Sequence, residues 1–185
     1  MKLAVHPADA GRWPDLVELF ERKGPRGGHR NAPAYGCWCM YWRDRSLPHG
    51  TPKKRALGAL ARAGREPGLL AYADGSPVGW IAIAPREDYA VLLRSPQYRP
   101  RDDDQGVWSI TCFTVDKEAR ELGVAGALLD GAVAHARARG ALRVEGYGHV
   151  ADPKDYMGSR ELYLAHGFVP FRDAGKRTIV RRELA

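Results

Sequence analysis

Residues 110–133 read ITCFTVDKEARELGVAGALLDGAV. The stretch opens on apolar and β-branched residues, crosses a polar turn and ends in a run rich in Ala, Gly and Leu. Trp108 to Val115 (WSITCFTV) reads as a buried strand, because strands favour aromatic and β-branched side chains. Asp116 to Leu122 is a polar turn. A helix follows from about Gly123 to Arg139, with Val124, Ala127, Leu128, Gly131 and His135 on one face, and Gly140 ends it. Leu142 to Tyr147 is a second strand. A strand, a crossover helix and a strand imply a parallel pair inside the sheet.

Working outward, a short helix is expected from about Met157 to His166, then closing strands at Gly167–Phe171 and Thr178–Arg182. Upstream, Leu3 to His6 suits a first strand, and Asp15 to Lys23 places Leu16, Leu19 and Phe20 on one helical face. GPRGGHRNAP, residues 24–33, is a loop by its Gly and Pro content. Thr51-Pro52 opens a basic helix from Lys53 to about Arg65. Two apolar runs flank Asp74-Gly75, a strong hairpin signal. Residues 85–106 form a long polar connection with a helical piece near Tyr89 to Arg94, and a connection of that length is usually functional or mobile. The expected fold is mixed α/β (α+β): six to seven strands, largely antiparallel with one parallel crossover, and about four helices in a single domain over 1–185.

Composition narrows the function. The 185 residues are 44% hydrophobic, enough for a buried core, and no apolar run approaches the roughly 20 residues of a membrane helix. The start, MKLAVHPADAG, lacks the apolar core of a signal peptide, so a soluble cytoplasmic protein with no membrane partner is expected. The net charge of +7 suits an acidic partner or a phosphorylated cofactor. Its basic residues are spread, with modest groups at Lys53-Lys54-Arg55 and Arg181-Arg182, so nucleic acid is not the expected partner. Three cysteines, Cys37, Cys39 and Cys112, do not make a disulfide framework. Zinc needs about four ligands and Cys-x-Cys supplies two, so no metal is expected.

The chemistry concentrates at the opening stretch. The free N–H groups of a helix's first turn, with its dipole, favour an anion, and small residues at Gly123, Ala125 and Gly126 let a ligand approach. Arg120 adds a cation. No Gly-Lys-Ser/Thr follows, which excludes a P-loop. Arg120-Glu121-Leu122-Gly123-Val124-Ala125 resembles the pyrophosphate loop of the GNAT superfamily of acyl-CoA-dependent N-acetyltransferases, Arg/Gln-x-x-Gly-x-Gly/Ala. Farther on, ELYLAHGF, residues 161–168, resembles that family's Leu-Tyr-x-x-x-Gly-Phe signature. The resemblance covers Trp108 to Phe171; residues 1–84 fit only by element order.

The resemblance implies acetyl transfer from acetyl-CoA directly to a primary amine of a small molecule or peptide, in a V-shaped cleft between strands four and five. By motif, backbone groups of Phe113, Thr114 and Val115 would hold the pantetheine arm. Those of Arg120, Glu121, Leu122, Gly123, Val124, Ala125 and Gly126 would cradle the pyrophosphate. Tyr163 falls where the family places a tyrosine near the CoA sulfur, as general acid or thiolate stabiliser. A phenol of pKa ~10 donating to a thiolate of ~8.5 is uphill by about 2 kcal/mol, which leaves hydrogen-bond stabilisation as plausible as proton transfer. A lysine-like ammonium of pKa ~10.4 must lose a proton at a cost of roughly 4.6 kcal/mol at pH 7, which calls for a base. Glu145, a carboxylate inside a central strand, is the candidate; the other reading is a salt bridge with Arg143 or another arginine. His149 and Asp116 are weaker candidates, and a water chain needs no single base.

The family's Asn-x-x-Ala positions hold Tyr156 and Ser159 here, so the usual Asn contact to CoA is absent, although Ser159 could bond the cofactor. The loop from Gly148 to Tyr156 is long. The stretch YGCWCMYW, residues 35–42, lies in the connection that lines the acceptor side in such enzymes. Trp38, Cys39, Trp42 and Tyr147 are therefore the expected substrate wall; packing in the core or at a homodimer patch would account for such aromatics equally. A non-catalytic acyl-CoA-binding sensor on the same fold is the alternative function.

Overall fold

In a computed structural model the described residues are 2–101, 105–150 and 156–184. Seven strands form one sheet in the order β1-β2-β3-β4-β5-β7-β6. In chain order these are β1 (Leu3–Pro7), β2 (Gly68–Ala73), β3 (Ser76–Pro85), β4 (Val107–Val115), β5 (Arg143–His149), β6 (Val169–Ala174) and β7 (Arg177–Glu183). All neighbours are antiparallel except β4 and β5, the expected parallel pair. At the hairpin tip Asp74 and Gly75 have φ of 47° and 87°, the left-handed pair a tight two-residue turn demands.

The helices are α1 (Trp13–Glu21), α2 (Ala32–Cys37), α3 (Thr51–Arg62), α4 (Ala90–Arg94), α5 (Val124–Ala138) and α6 (Arg160–Ala165). About four were expected. Of the two beyond these, α4 is the helical piece expected near Tyr89 to Arg94, and α2, of six residues, is too short to show a helical period in sequence. Pro33 sits in the first turn of α2, and the chain leaves it through Trp38 and Cys39, both left-handed at φ 45° and 48°. The last helix is shorter than expected, because Ser159 caps it by accepting from the Leu162 N–H at 3.1 Å.

Strand alternation divides the core. Leu69, Ala71, Ile81 and Ile83 face α5, packing with Leu128, Leu129, Ala132 and Val133. Leu70, Trp80 and Ala82 face the other way, onto Leu16, Leu19, Phe20, Trp38 and Leu57. Among the described residues no helix is long and apolar enough to cross a membrane. The acidic run Asp102–Asp104 and positions 151–155 of the long second connection lie outside the described residues.

Candidate active site

Two features of β4 open the sheet at its centre. β4 pairs with β5 only at Val107, Trp108 and Ser109; beyond Ser109 the two diverge, which forms the expected splay between strands four and five. On its other edge Ala82 pairs with Cys112 and Ile83 with Ile110, so Thr111 is the extra residue of a β-bulge. The bulge turns Thr111 into a cavity, and its buried Oγ1 makes no hydrogen bond among the described residues.

Segment 156–159 stands in the splay. The Phe113 N–H donates to the Tyr156 carbonyl at 2.5 Å, and the His149 N–H donates to the Gly158 carbonyl at 3.1 Å. Of the Phe113 backbone groups expected at the pantetheine arm, the N–H thus has an internal partner. The Asp116 N–H turns the other way, to Val78. Alternation therefore aims the backbone of Phe113 and Val115 at the open edge and that of Thr114 at β3. Thr114 instead contributes a buried Oγ1 without a partner among the described residues.

Beyond β4, Asp116 caps a single 3-10 turn by accepting from the Glu118 N–H at 3.1 Å. Its carboxylate is buried and paired with Arg22 at 2.9 Å and Arg30 at 3.2 Å. Burial pushes the Asp116 carboxyl up, but the Glu118 N–H and the guanidiniums of Arg30 and Arg22 outweigh it and hold the pKa below the usual carboxylate value. Asp116 is thus an anchor for the turn, not a base. Arg120, Glu121, Leu122 and Gly123 are exposed, and Glu121 and Gly123 are left-handed at φ 65° and 77°. Gly123 precedes α5, leaving the N–H groups of its first turn free of helical partners. A Cβ on Gly123 would meet nothing, whereas one on Gly126 would lie 2.9 Å from the His166 ring. The smallness of Gly126 therefore serves packing against His166, not ligand approach; at Gly123 it is the positive φ that requires glycine.

On the α2 side of β4 lies a cavity of about 920 Å³. Cys37, Cys39, Tyr41, Trp42, Tyr98 and Thr111 are on its wall, with Arg45, Arg94, Arg177 and Asp44 among its charged groups. Cys112 and Tyr156 also line it, joining it to the splay. The Cys39 thiol donates to the Cys112 sulfur at 3.0 Å and accepts from the Trp80 indole N–H at 3.2 Å. The contact with Cys112 and burial push the Cys39 pKa well up, so it is a neutral thiol wall. Among the described residues no group of three His, Cys, Asp or Glu side chains could hold a metal.

Several residues named from sequence lie elsewhere. Tyr163 is fully buried beneath β5, and its hydroxyl donates to the Met157 carbonyl at 2.8 Å. Gly146 makes room for it: a Cβ there would lie 2.3 Å from the tyrosine ring. The phenol where the cavity meets the splay is that of Tyr156, 46% exposed. Glu145 is buried in the ion pair that was its other reading. Its Oε1 accepts from Arg181 Nη2 at 2.6 Å and Nε at 3.1 Å, and Arg86 lies 3.6 Å from Oε2. Both oxygens are engaged in this cluster, and Glu145 does not line the cavity. Trp38 is core, against Phe20 at 5.1 Å between ring centroids, and offers a substrate no surface. Tyr147 is fully buried behind Tyr98 and shares a hydrogen bond of 3.0 Å with Ser109. The Ser159 oxygen is spent on its helix cap. Of the expected wall, Cys39 and Trp42 do line the cavity. Thr111, Tyr98, Arg94 and Arg177 were missed; the length of the 85–106 connection was the one signal that pointed toward two of them.

The comparisons with known proteins accord with this geometry. Among curated proteins none matches the sequence. The fold matches the CoA complex of the PaiA N-acetyltransferase from Thermoplasma acidophilum, with TM-score 0.58, 16% identity and 100% of both chains covered. It also matches the GNAT domain of PAT from S. lividans, with TM-score 0.61, 17% identity and 97% and 89% of the two chains covered. A third match is a phosphinothricin acetyltransferase from Sinorhizobium meliloti in complex with AcCoA, with TM-score 0.58, 18% identity and 100% and 89% covered. The model of the acetyltransferase (GNAT) family matches residues 34–168, most of the chain, and the protein belongs to that family.

Proposed function

We propose that this protein is an acyl-CoA-dependent N-acetyltransferase that moves an acetyl group from acetyl-CoA to a primary amine. The observation that carries this reading is the continuity of three free features. The exposed N-terminus of α5, the edge of β4 that parts from β5 beyond Ser109 and the cavity on the α2 side follow one another along a single strand. Donors at a helix start suit a pyrophosphate, and an open strand edge suits the amide groups of pantetheine. The structures named above that contain CoA or AcCoA support the same placement by their fold.

In this reading the residues from Arg120 to Gly126 hold the pyrophosphate, with Arg120 as the added cation. The Phe113 carbonyl, the Val115 backbone and the Thr114 hydroxyl face the pantetheine arm. The amine enters through the cavity, past Trp42 and Cys39, and its nitrogen attacks the thioester carbon. An amide and the CoA thiol are the products. Among the described residues Asp44 is the one carboxylate on the cavity wall and no imidazole lines it, so in this reading the ammonium proton leaves to water in the open cavity. Tyr163 acts from behind, as a positioning residue: by holding the Met157 carbonyl it fixes segment 156–159 against β4. The occupied Phe113 N–H and the buried Tyr163 hydroxyl favour a second reading, an acyl-CoA-binding module without catalysis.

Thiol release from acetyl-CoA, measured against amines, amino acids, polyamines, aminoglycosides and peptides, tests the proposal. Amine-dependent release is expected for at least one class. Binding of acetyl-CoA without release from any amine would select the sensor, and absence of both would overturn the two readings together.

A further inference from the structure

The geometry points to an acceptor of a particular class: an amine that carries an anionic group, a carboxylate or a phosphate, at the end remote from the amine or beside it. This rests on the acetyl-transfer reading above. The amine must reach β4, where the bulge presents Thr111 and Cys112, so the rest of the acceptor extends toward the mouth. Among the described residues the cavity wall there holds the exposed cations Arg45 and Arg94, with Arg177 beside Tyr98, and one carboxylate, Asp44. Asp44 is also the more occupied group: its Oδ1 accepts from the Ser46 N–H at 2.9 Å and the Ser46 hydroxyl at 2.6 Å. Arg45 and Arg94 are exposed and make no ion pair among the described residues.

Arg45 and Arg177 are also set against aromatic rings. The Arg45 guanidinium lies 4.8 Å from the Tyr41 ring centroid, and that of Arg177 lies 5.6 Å from that of Tyr98, whose hydroxyl it also bonds. Tyr98 in turn meets Trp42 edge to face at 5.5 Å. Guanidiniums held on rings present planar, bidentate donors that match a carboxylate or phosphate, and flat rings suit a flat acceptor body. The same cations repel a polycation, so polyamines, aminoglycosides and lysine-rich peptides are disfavoured by charge.

The test uses amines matched except for the anion: tyrosine against tyramine and tryptophan against tryptamine, with spermidine as the polycation. The carboxylated member of each pair is expected to have the higher kcat/KM by roughly tenfold, through KM, the scale of one charge-assisted hydrogen bond. That advantage shrinks with added salt. Arg94→Gln is expected to raise KM for the carboxylated amines and leave that for the neutral ones unchanged. Arg55→Gln, which removes the same charge from the exposed face of α3, is the control and changes neither. A structural role for Arg94 would lower both activities alike. Equal turnover of both members of each pair, or preference for spermidine, overturns the proposal while acetyl transfer stands. If no amine releases thiol, the acetyl-transfer reading falls, and binding decides the rest. Quenching of tryptophan fluorescence by N-acetyltyrosine but not N-acetyltyramine supports the anion preference, and equal quenching overturns it.

Discussion

The two blocks of the sheet on either side of the splay treat their polar groups in opposite ways. On the β5–α6 side the groups that the sequence marked for chemistry are already engaged: Glu145 with Arg181 and Arg86, Tyr163 with Met157, Ser159 with Leu162. On the β4–α5 side the helix start is exposed, the strand edge leaves β5 beyond Ser109 with only the Phe113 N–H bonded to segment 156–159 among the described residues, and two threonine hydroxyls are buried without partners among the described residues. A reactive residue type is therefore no guide to a site on its own. Satisfied groups hold the fold, and unsatisfied ones wait for a ligand. Substitutions on the first side are expected to break stability, and on the second to break binding.

The largest effect is expected at Glu145. Glu145→Ala leaves Arg181 and Arg86 buried without their anion, a loss of about 3–5 kcal/mol read from urea unfolding. A variant as stable as the wild type that lost turnover would instead make Glu145 a base and erase the comparison.

Asp116 sharpens the boundary, since it anchors the turn that leads to α5. Its folded pKa lies below the ordinary carboxylate value, with the Glu118 N–H, Arg30 and Arg22 outweighing burial, so its stabilisation is complete above the unfolded pKa of about 3.9 and is lost as pH falls through the folded value. Asp116→Asn should be less stable than the wild type at pH 6, and the gap should close below about pH 4. A gap independent of pH would show that the ion pairs with Arg22 and Arg30 carry none of it.

The smallest effect is expected at Tyr163. Tyr163→Phe removes one hydrogen bond to a backbone carbonyl, about 1 kcal/mol, and should leave turnover within a few-fold of wild type. A fall in turnover of a hundredfold or more with stability intact would place the phenol at the reacting thioester after all.

These contrasts also explain what could be read from the sequence. The strand, turn and helix of residues 110–133 were legible, because long apolar periodicity and a glycine at a forced left-handed position leave strong local marks. The central parallel pair followed from that stretch, and the splay came with the family resemblance. The distinction between Tyr163 and Tyr156 was not legible, because it depends on a cavity beneath β5 made by Gly146, and nothing local ties position 146 to position 163. YGCWCMYW was divided for a similar reason. The left-handed turn at Trp38 and Cys39 sends Trp38 into the core and puts Cys39 and Trp42 on the cavity, a split that no period of two or of 3.6 encodes. The β-bulge that re-aims Thr111 arises from pairing with β3 and is likewise invisible along the chain.

Calorimetric titration of acetyl-CoA into the wild-type protein and into Gly123→Val tests the central claim most directly, because Gly123 is exposed, meets no neighbour and matters for its φ of 77° alone. The account predicts one-to-one binding by the wild type and affinity at least about tenfold weaker in the variant, with the far-ultraviolet spectrum unchanged. Equal affinity in the two proteins, or no binding by the wild type, would contradict it.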